Sequence, residues 1–119
     1  RADFVSLHVP LLPSTYHMLG ERELRLMPST SCLVNTSRGG VVDQDALAKA
    51  LREGWIAGAA LDVFEAEPLP PDSPLLELPN VLVTPHMASH TEESLRRMSE
   101  VVDDVLAVLE GRQPRFRAV

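Results

Sequence analysis

Apolar residues recur along this chain with two different periods, and the switches between them mark its elements. The stretch DFVSLHV (3 to 9) is short, apolar and β-branched at intervals, which predicts a strand that Pro10 and Pro13 end. GERELRLMP (20 to 28) has room for two helical turns, with Leu24 and Met27 on one face, before Pro28 stops it. CLVNT (32 to 36) reads as a second strand. Asp43 suits the N-cap of a helix over QDALAKALREG, where Ala46, Leu47, Ala50 and Leu51 keep helical spacing and Gly54 closes the end. AALDV (59 to 63) and VLVTP (81 to 85) are the third and fourth strands. Between them FEAEPLPPDSPLLELPN holds five of the chain's ten prolines, so an ordered or semi-ordered loop is expected there. A long helix follows from about 91 to 111, with Leu95, Met98, Val102, Val105, Leu106 and Leu109 as an apolar stripe beneath an acidic face and Gly111 as its cap.

Strands thus alternate with helices, and the strands are nearly all apolar, as in a parallel sheet covered by helices. The expected class is α/β. A strand almost at the first residue, with only four strands in all, suits the latter half of a doubly wound sheet of Rossmann type better than a whole one. The 119 residues are therefore expected to be the latter part of a longer polypeptide.

Composition narrows the picture further. With 45% hydrophobic residues and a net charge of -6, the chain belongs with soluble globular domains. The 11 basic residues are outnumbered by 17 acidic ones and scattered, which argues against nucleic acid as a partner. No apolar stretch approaches membrane-spanning length, so no membrane partner is expected. The one cysteine, Cys32, lies in an apolar run and reads as a buried thiol, so a reducing compartment fits and a cytoplasmic location is expected.

In an open α/β sheet the ligand crevice lies beyond the carboxyl ends of the strands. Those ends carry His8, then Thr36, Ser37 and Arg38, then Asp62 with Glu65 and Glu67 after it, and then Thr84 and His86. Arg38 is either a surface arginine beside a turn or the binder of a small organic acid. A strand before it and Gly39 and Gly40 after it suit the second role, since a guanidinium fork matches a planar carboxylate. His86 follows Pro85 and is either structural or a proton donor to a carbonyl oxygen, held in one tautomer by a carboxylate of the EAEP loop. Glu67 is the better candidate for that carboxylate because Pro68 stiffens its downstream side, although Glu65 remains open. No metal site is expected, because the four histidines come without a cysteine pair or HExxH spacing.

VNTSRGGVVDQDAL, GAALDVFEAEPLP and LPNVLVTPHMASHT, in this order and behind DFVSLHVPLLPST, resemble the D-isomer-specific 2-hydroxyacid dehydrogenase family over essentially the whole chain. That resemblance implies NAD or NADP as cofactor, a small 2-oxo or 2-hydroxy acid as substrate, and a homodimer. It implies Arg38, Glu67 and His86 as the catalytic residues. Arg38 would hold the substrate carboxylate, and His86 would be the acid and base supported by Glu67. The cofactor-binding residues it implies are His8, Val9, Pro10, Thr36, Ser37, Arg38, Asp62, His86, Ala88 and Ser89, with Asp62 accepting from the nicotinamide carboxamide. A glutamate at 67, where formate dehydrogenases of the NAD type carry glutamine, points to a hydroxyacid enzyme.

The expected organisation is residues 1 to 90 as a partial NAD(P)-binding domain and 91 to 119 as a helix and basic tail returning toward an absent substrate domain. No GxGxxG fingerprint occurs, so the 119 residues alone are expected to have negligible activity. Two alternatives stand beside this reading: a non-enzymatic binding or scaffold protein with a nucleotide fold, and an inactive fragment held by self-association. Leu75, Leu76 and Leu78 either contribute to the dimer contact or pack on their own domain.

Overall fold

The computed structural model describes residues 2–117, and within it four short strands run in one direction. They are β1 (Phe4–Leu7), β2 (Cys32–Asn35), β3 (Gly58–Leu61) and β4 (Val81–Val83), paired in sequence order as one parallel sheet. Two helices lie between the first three strands: α1 (Glu21–Leu24) and α2 (Gln44–Arg52). The α/β class is as expected. Each strand is shorter than its sequence pattern, because the residues at its carboxyl end leave the ladder for a loop.

The register explains the core. Val5, Leu33, Ala59 and Val81 are aligned across the sheet, as are Leu7, Asn35, Leu61 and Val83. Side chains alternate along a strand, so these two rows share one face. Leu7, Leu33, Ala59 and Leu61 are buried there with Leu24, Leu47, Ala50, Leu51 and Ile56 in a single cluster. The opposite face carries Phe4, Val34, Ala60 and Leu82, of which Phe4 and Leu82 are 70% and 66% exposed. Cys32 belongs to this second face and is half-buried rather than buried.

α2 forms for the local reasons its sequence announces. Asp43 accepts from the Ala46 N–H at 2.9 Å, and Gly54 takes a left-handed φ of 72° just past the last turn. The proline-rich segment between β3 and β4 contains one 3-10 turn, Pro74–Glu77. Leu75 in that turn is 1% exposed and belongs to the core, and Leu78 packs against it, whereas Leu76 is 47% exposed.

The chain divides into two compact units between Met87 and Ala88. In the second, the helix expected over 91 to 111 is present as α3 (Glu92–Ser99) and α4 (Val101–Leu109). The two segments meet at Glu100, whose backbone stays helical and whose N–H is shared between the Arg96 and Arg97 carbonyls. Thr91 caps the start by accepting from Ser94 N–H, and Gly111 ends it with a φ of 75°. The expected apolar stripe is exposed along its whole length, Ala107 being the buried residue of these helices. The backbone N–H groups of Arg115 and Phe116 donate to Asp104, which folds the tail back on α4. Ala118 and Val119, the end of that tail, lie outside the described residues.

Candidate active site

The site is assembled from the loops at the carboxyl ends of the four strands, and those after β2, β3 and β4 carry Arg38, Glu67 and His86. After β2, Asn35 is buried and its side chain shapes the turn. Its Oδ1 accepts from the Ser37 N–H at 3.1 Å and the Ser37 hydroxyl at 2.8 Å, while its Nδ2 donates to the Arg38 carbonyl at 3.0 Å. Arg38 leaves this turn with its guanidinium exposed, and Nη1 donates to the Ser37 carbonyl at 2.7 Å. Gly39 comes next, where a Cβ would stand 1.9 Å from the carbonyl carbon of Phe64. The loop after β2 can therefore touch the loop after β3 only with glycine at this position.

After β3, Asp62 and Phe64 are buried and the chain turns outward. Glu67 folds back: its Oε1 accepts from the Phe64 N–H at 3.0 Å, and its Oε2 lies 2.6 Å from His86 Nδ1. The hydrogen bond from His86, and then the one from Phe64, hold the Glu67 carboxyl below the ordinary 4.5. Glu65 turns elsewhere, with Oε1 accepting from the Gln44 N–H at 2.8 Å.

After β4, Asp62 reaches across from the neighbouring strand. At 3% exposure its Oδ1 accepts from the Thr84 hydroxyl at 2.5 Å and the Met87 N–H at 2.8 Å. Both sides of His86 are thereby tied to one carboxylate. His86 itself has a φ of 52°, a left-handed conformation that costs an L residue about 1–2 kcal/mol. The strain is held by its neighbours, and the result is an imidazole delivered to Glu67.

Arg38, Glu67 and His86 line one cavity of about 490 Å³, together with Leu11, Tyr16, Gly39, Gly40, Phe64 and Glu65. A second cavity, of about 580 Å³, is lined by His8, Val9, Pro10, Leu11, Thr36, Ser37 and Arg38. Asp62 is buried behind the His86 turn rather than on either wall. Ala88 and Ser89 lie in the second unit, in the turn before α3. Sequence reasoning passed over Asn35, Leu11, Tyr16 and Phe64. Asn35 carried a readable signal, being a polar residue two places after Leu33 and so on the same inward face of an apolar strand.

The chain is similar to known proteins in sequence and in fold. The chain is 61% identical over 115 residues to the glyoxylate reductase of Korarchaeum cryptofilum (strain OPF8), covering 96% of this chain and 35% of that protein. A solved structure from Thermus thermophilus superposes with a TM-score of 0.88 at 50% identity, over 99% of this chain and 38% of that one. The D-lactate dehydrogenase of Lactobacillus jensenii, solved with NAD+, gives 0.87 at 36% identity, over 99% of this chain and 40% of its own. The chain spans about a third of the length of the curated relatives it matches. Residues 1–88 match the D-isomer specific 2-hydroxyacid dehydrogenase, NAD binding domain, and the chain belongs to that family.

Proposed function

We propose that the chain supplies the acid–base and substrate-orienting part of an oxidoreductase that interconverts a small 2-oxo acid and its D-2-hydroxy acid. The observation that carries this reading is the His86–Glu67 pair at 2.6 Å on the wall of a cavity that Arg38 also lines. The similarity to a glyoxylate reductase favours glyoxylate or hydroxypyruvate over bulkier acids.

A nicotinamide cofactor, when bound, supplies and takes the hydride. The residues about the second cavity fit one end of such a molecule. Val9, Pro10 and Leu11 offer an apolar wall for a planar ring, and Thr36 and Ser37 offer hydroxyls for an amide and a ribose. The NAD+ held by the Lactobacillus jensenii structure supports this reading, and either NAD or NADP satisfies it.

The chain's own residues do the rest. Arg38 pairs with the substrate carboxylate through its planar fork and so sets the position of the adjacent carbonyl. With Nδ1 committed to Glu67, His86 Nε2 is the nitrogen that gives a proton to the carbonyl oxygen during reduction and recovers it during oxidation. Glu67 stays ionised and stabilises the imidazolium from which that proton leaves, without taking the proton itself. In this reading Asp62, besides holding the His86 turn, accepts from the carboxamide. The working form is a homodimer in the cytoplasm, a reducing setting that suits a single unpaired Cys32. The activity belongs to the full-length polypeptide, and negligible activity is expected of the 119 residues by themselves.

The test is steady-state turnover of glyoxylate and hydroxypyruvate with NADH and NADPH by the full-length protein and its His86→Asn variant. Asparagine tolerates the left-handed backbone, so the variant removes the ring and keeps the turn. A loss of about 10²- to 10⁴-fold in kcat is expected. Turnover within threefold of wild type would remove His86 from the mechanism, and full turnover by residues 1–119 alone would contradict the division of labour.

A further inference from the structure

Among the described residues, two that are not glycine hold a positive φ: His86 at 52° and His17 at 48°. The first is explained by its place in the site. His17 lies in the loop after β1, outside the pair, and its conformation also needs something to hold it.

Its surroundings supply the hold. The ring stacks on Tyr16 with centroids 4.0 Å apart, and the backbone N–H donates to the Gly40 carbonyl at 2.8 Å. Nε2 is buried without a hydrogen bond and stands 3.2 Å from Glu65 Oε1, an ion-pair distance when the ring is protonated, while Nδ1 is 3.8 Å from Asp43 Oδ2. The imidazole thus lies between two carboxylates from different elements. Asp43 is the cap of α2. Glu65 is stapled to the first residue of that helix, because its Oε1 accepts from Gln44 N–H while its own N–H donates to Gln44 Oε1 at 3.3 Å. Two residues further along the same loop comes Glu67.

We infer that His17 is a positioning residue: by holding Glu65 against the start of α2, it fixes the Phe64–Glu67 loop so that the Glu67 carboxylate meets His86. This inference rests on the acid–base role proposed for that pair. The physical reason is leverage. Among the described residues, the hydrogen bond that ties Glu67 within its own loop is the one from the Phe64 N–H. A loop with one such tie samples several positions, and a carboxylate displaced by about 1 Å no longer makes a short hydrogen bond. The Glu65 anchor removes that freedom before substrate arrives, and the His17 ring stands 3.2 Å from the anchoring oxygen. Tyr16, stacked on His17, also lines the cavity of Arg38, Glu67 and His86. The histidine therefore joins the substrate-facing wall to the loop that carries the carboxylate.

The test uses the full-length protein with His17→Gly, Glu65→Gln and the double variant. Glycine adopts a positive φ freely, so His17→Gly keeps the turn and removes only the ring. A residue that merely shaped the turn would be replaced by glycine without consequence. The expected result is a 10- to 100-fold fall in kcat with KM for the 2-oxo acid within threefold, because Arg38 is untouched. The double variant should fall no further than Glu65→Gln. The low-field proton resonance of the His86 Nδ1–H should move upfield in His17→Gly and recover in His17→Gln, which returns a side-chain donor toward Glu65.

A His17→Gly protein with kcat within twofold of wild type, or with an unmoved His86 resonance, overturns the inference. Should that variant fail to fold, Glu65→Gln carries the same two readouts from the other end of the contact. The two ideas separate cleanly. A wild-type protein that reduces none of the acids but whose His86 resonance responds to His17 refutes the proposed function alone. Normal wild-type turnover with no response in either readout refutes this inference alone.

Discussion

Replacing Gly39 with alanine places a methyl carbon 1.9 Å from the Phe64 carbonyl carbon, 2.0 Å from its oxygen and 2.5 Å from the Glu65 nitrogen. These are backbone atoms, so no rotamer change relieves the clash. To reach the 3.4 Å of ordinary contact, the two loops must separate by about 1.5 Å. One of them carries Arg38 on the residue before, and the other carries Glu67 three residues on. A displacement of about 1 Å in such a constellation costs about 10²-fold in rate, and overpacking of this kind costs about 1–3 kcal/mol of stability. Gly39→Ala in the full-length protein should therefore lose at least about 10²-fold in kcat/KM for glyoxylate, read from consumption of the reduced nicotinamide. Gly40→Ala is the control. Its nearest contacts are the Leu11 methyl groups at 3.3 and 3.4 Å, the flexible end of a side chain, so a loss under about tenfold is expected. Activity of Gly39→Ala within threefold of wild type would refute the argument that these two loops are registered through the glycine.

Two further expectations concern stability. The Glu67 carboxyl is held below 4.5, first by His86 and then by the Phe64 N–H, so its contribution is whole above that value and is lost as pH falls through the lowered one. The urea midpoints of wild type and Glu67→Gln should accordingly converge as the pH drops from about 5 to about 3, and a gap that stays constant would contradict the sign. The gap itself should be under about 1 kcal/mol, because side chains 49% and 35% exposed are screened by solvent. Leu75→Ala should cost about 2–5 kcal/mol, whereas Leu76→Ala, the next residue in the loop, should cost under about 0.5 kcal/mol by the same urea measurement; equal costs would refute the packing of Leu75 into the core.

The alternation of elements was legible because each signal is local. A period of two, a capping Asp43 and a closing Gly54 act over a few residues, and the observed strands and α2 follow them. The strand ends were legible less well, the carboxyl ends being off by one or two residues. After β2 the Asn35 side chain closes the turn on Ser37 and Arg38, and after β3 and β4 the Asp62 carboxylate accepts from Thr84 and Met87, so these ends leave the ladder. The stripe on α3 and α4 shows the limit of periodicity: the spacing of Leu95, Met98 and Val102 announces a helix with an apolar face, and it says nothing about whether anything covers that face.

The candidate site divides in the same way. Its chemical inventory, an arginine, a histidine and two glutamates clustered after strands, stands in the sequence itself, since in a parallel sheet every carboxyl end faces the same edge. Which glutamate meets His86 was decided only in three dimensions. Glu65 is drawn to Gln44 and His17, 21 and 48 residues away, and Glu67 to His86, 19 residues away. Those choices depend on the fit of Gly39 against Phe64 and on the hold of Asp62 over Thr84 and Met87. Contacts of that range arise when the strands assemble in register, and no short segment of chain contains the information that selects them.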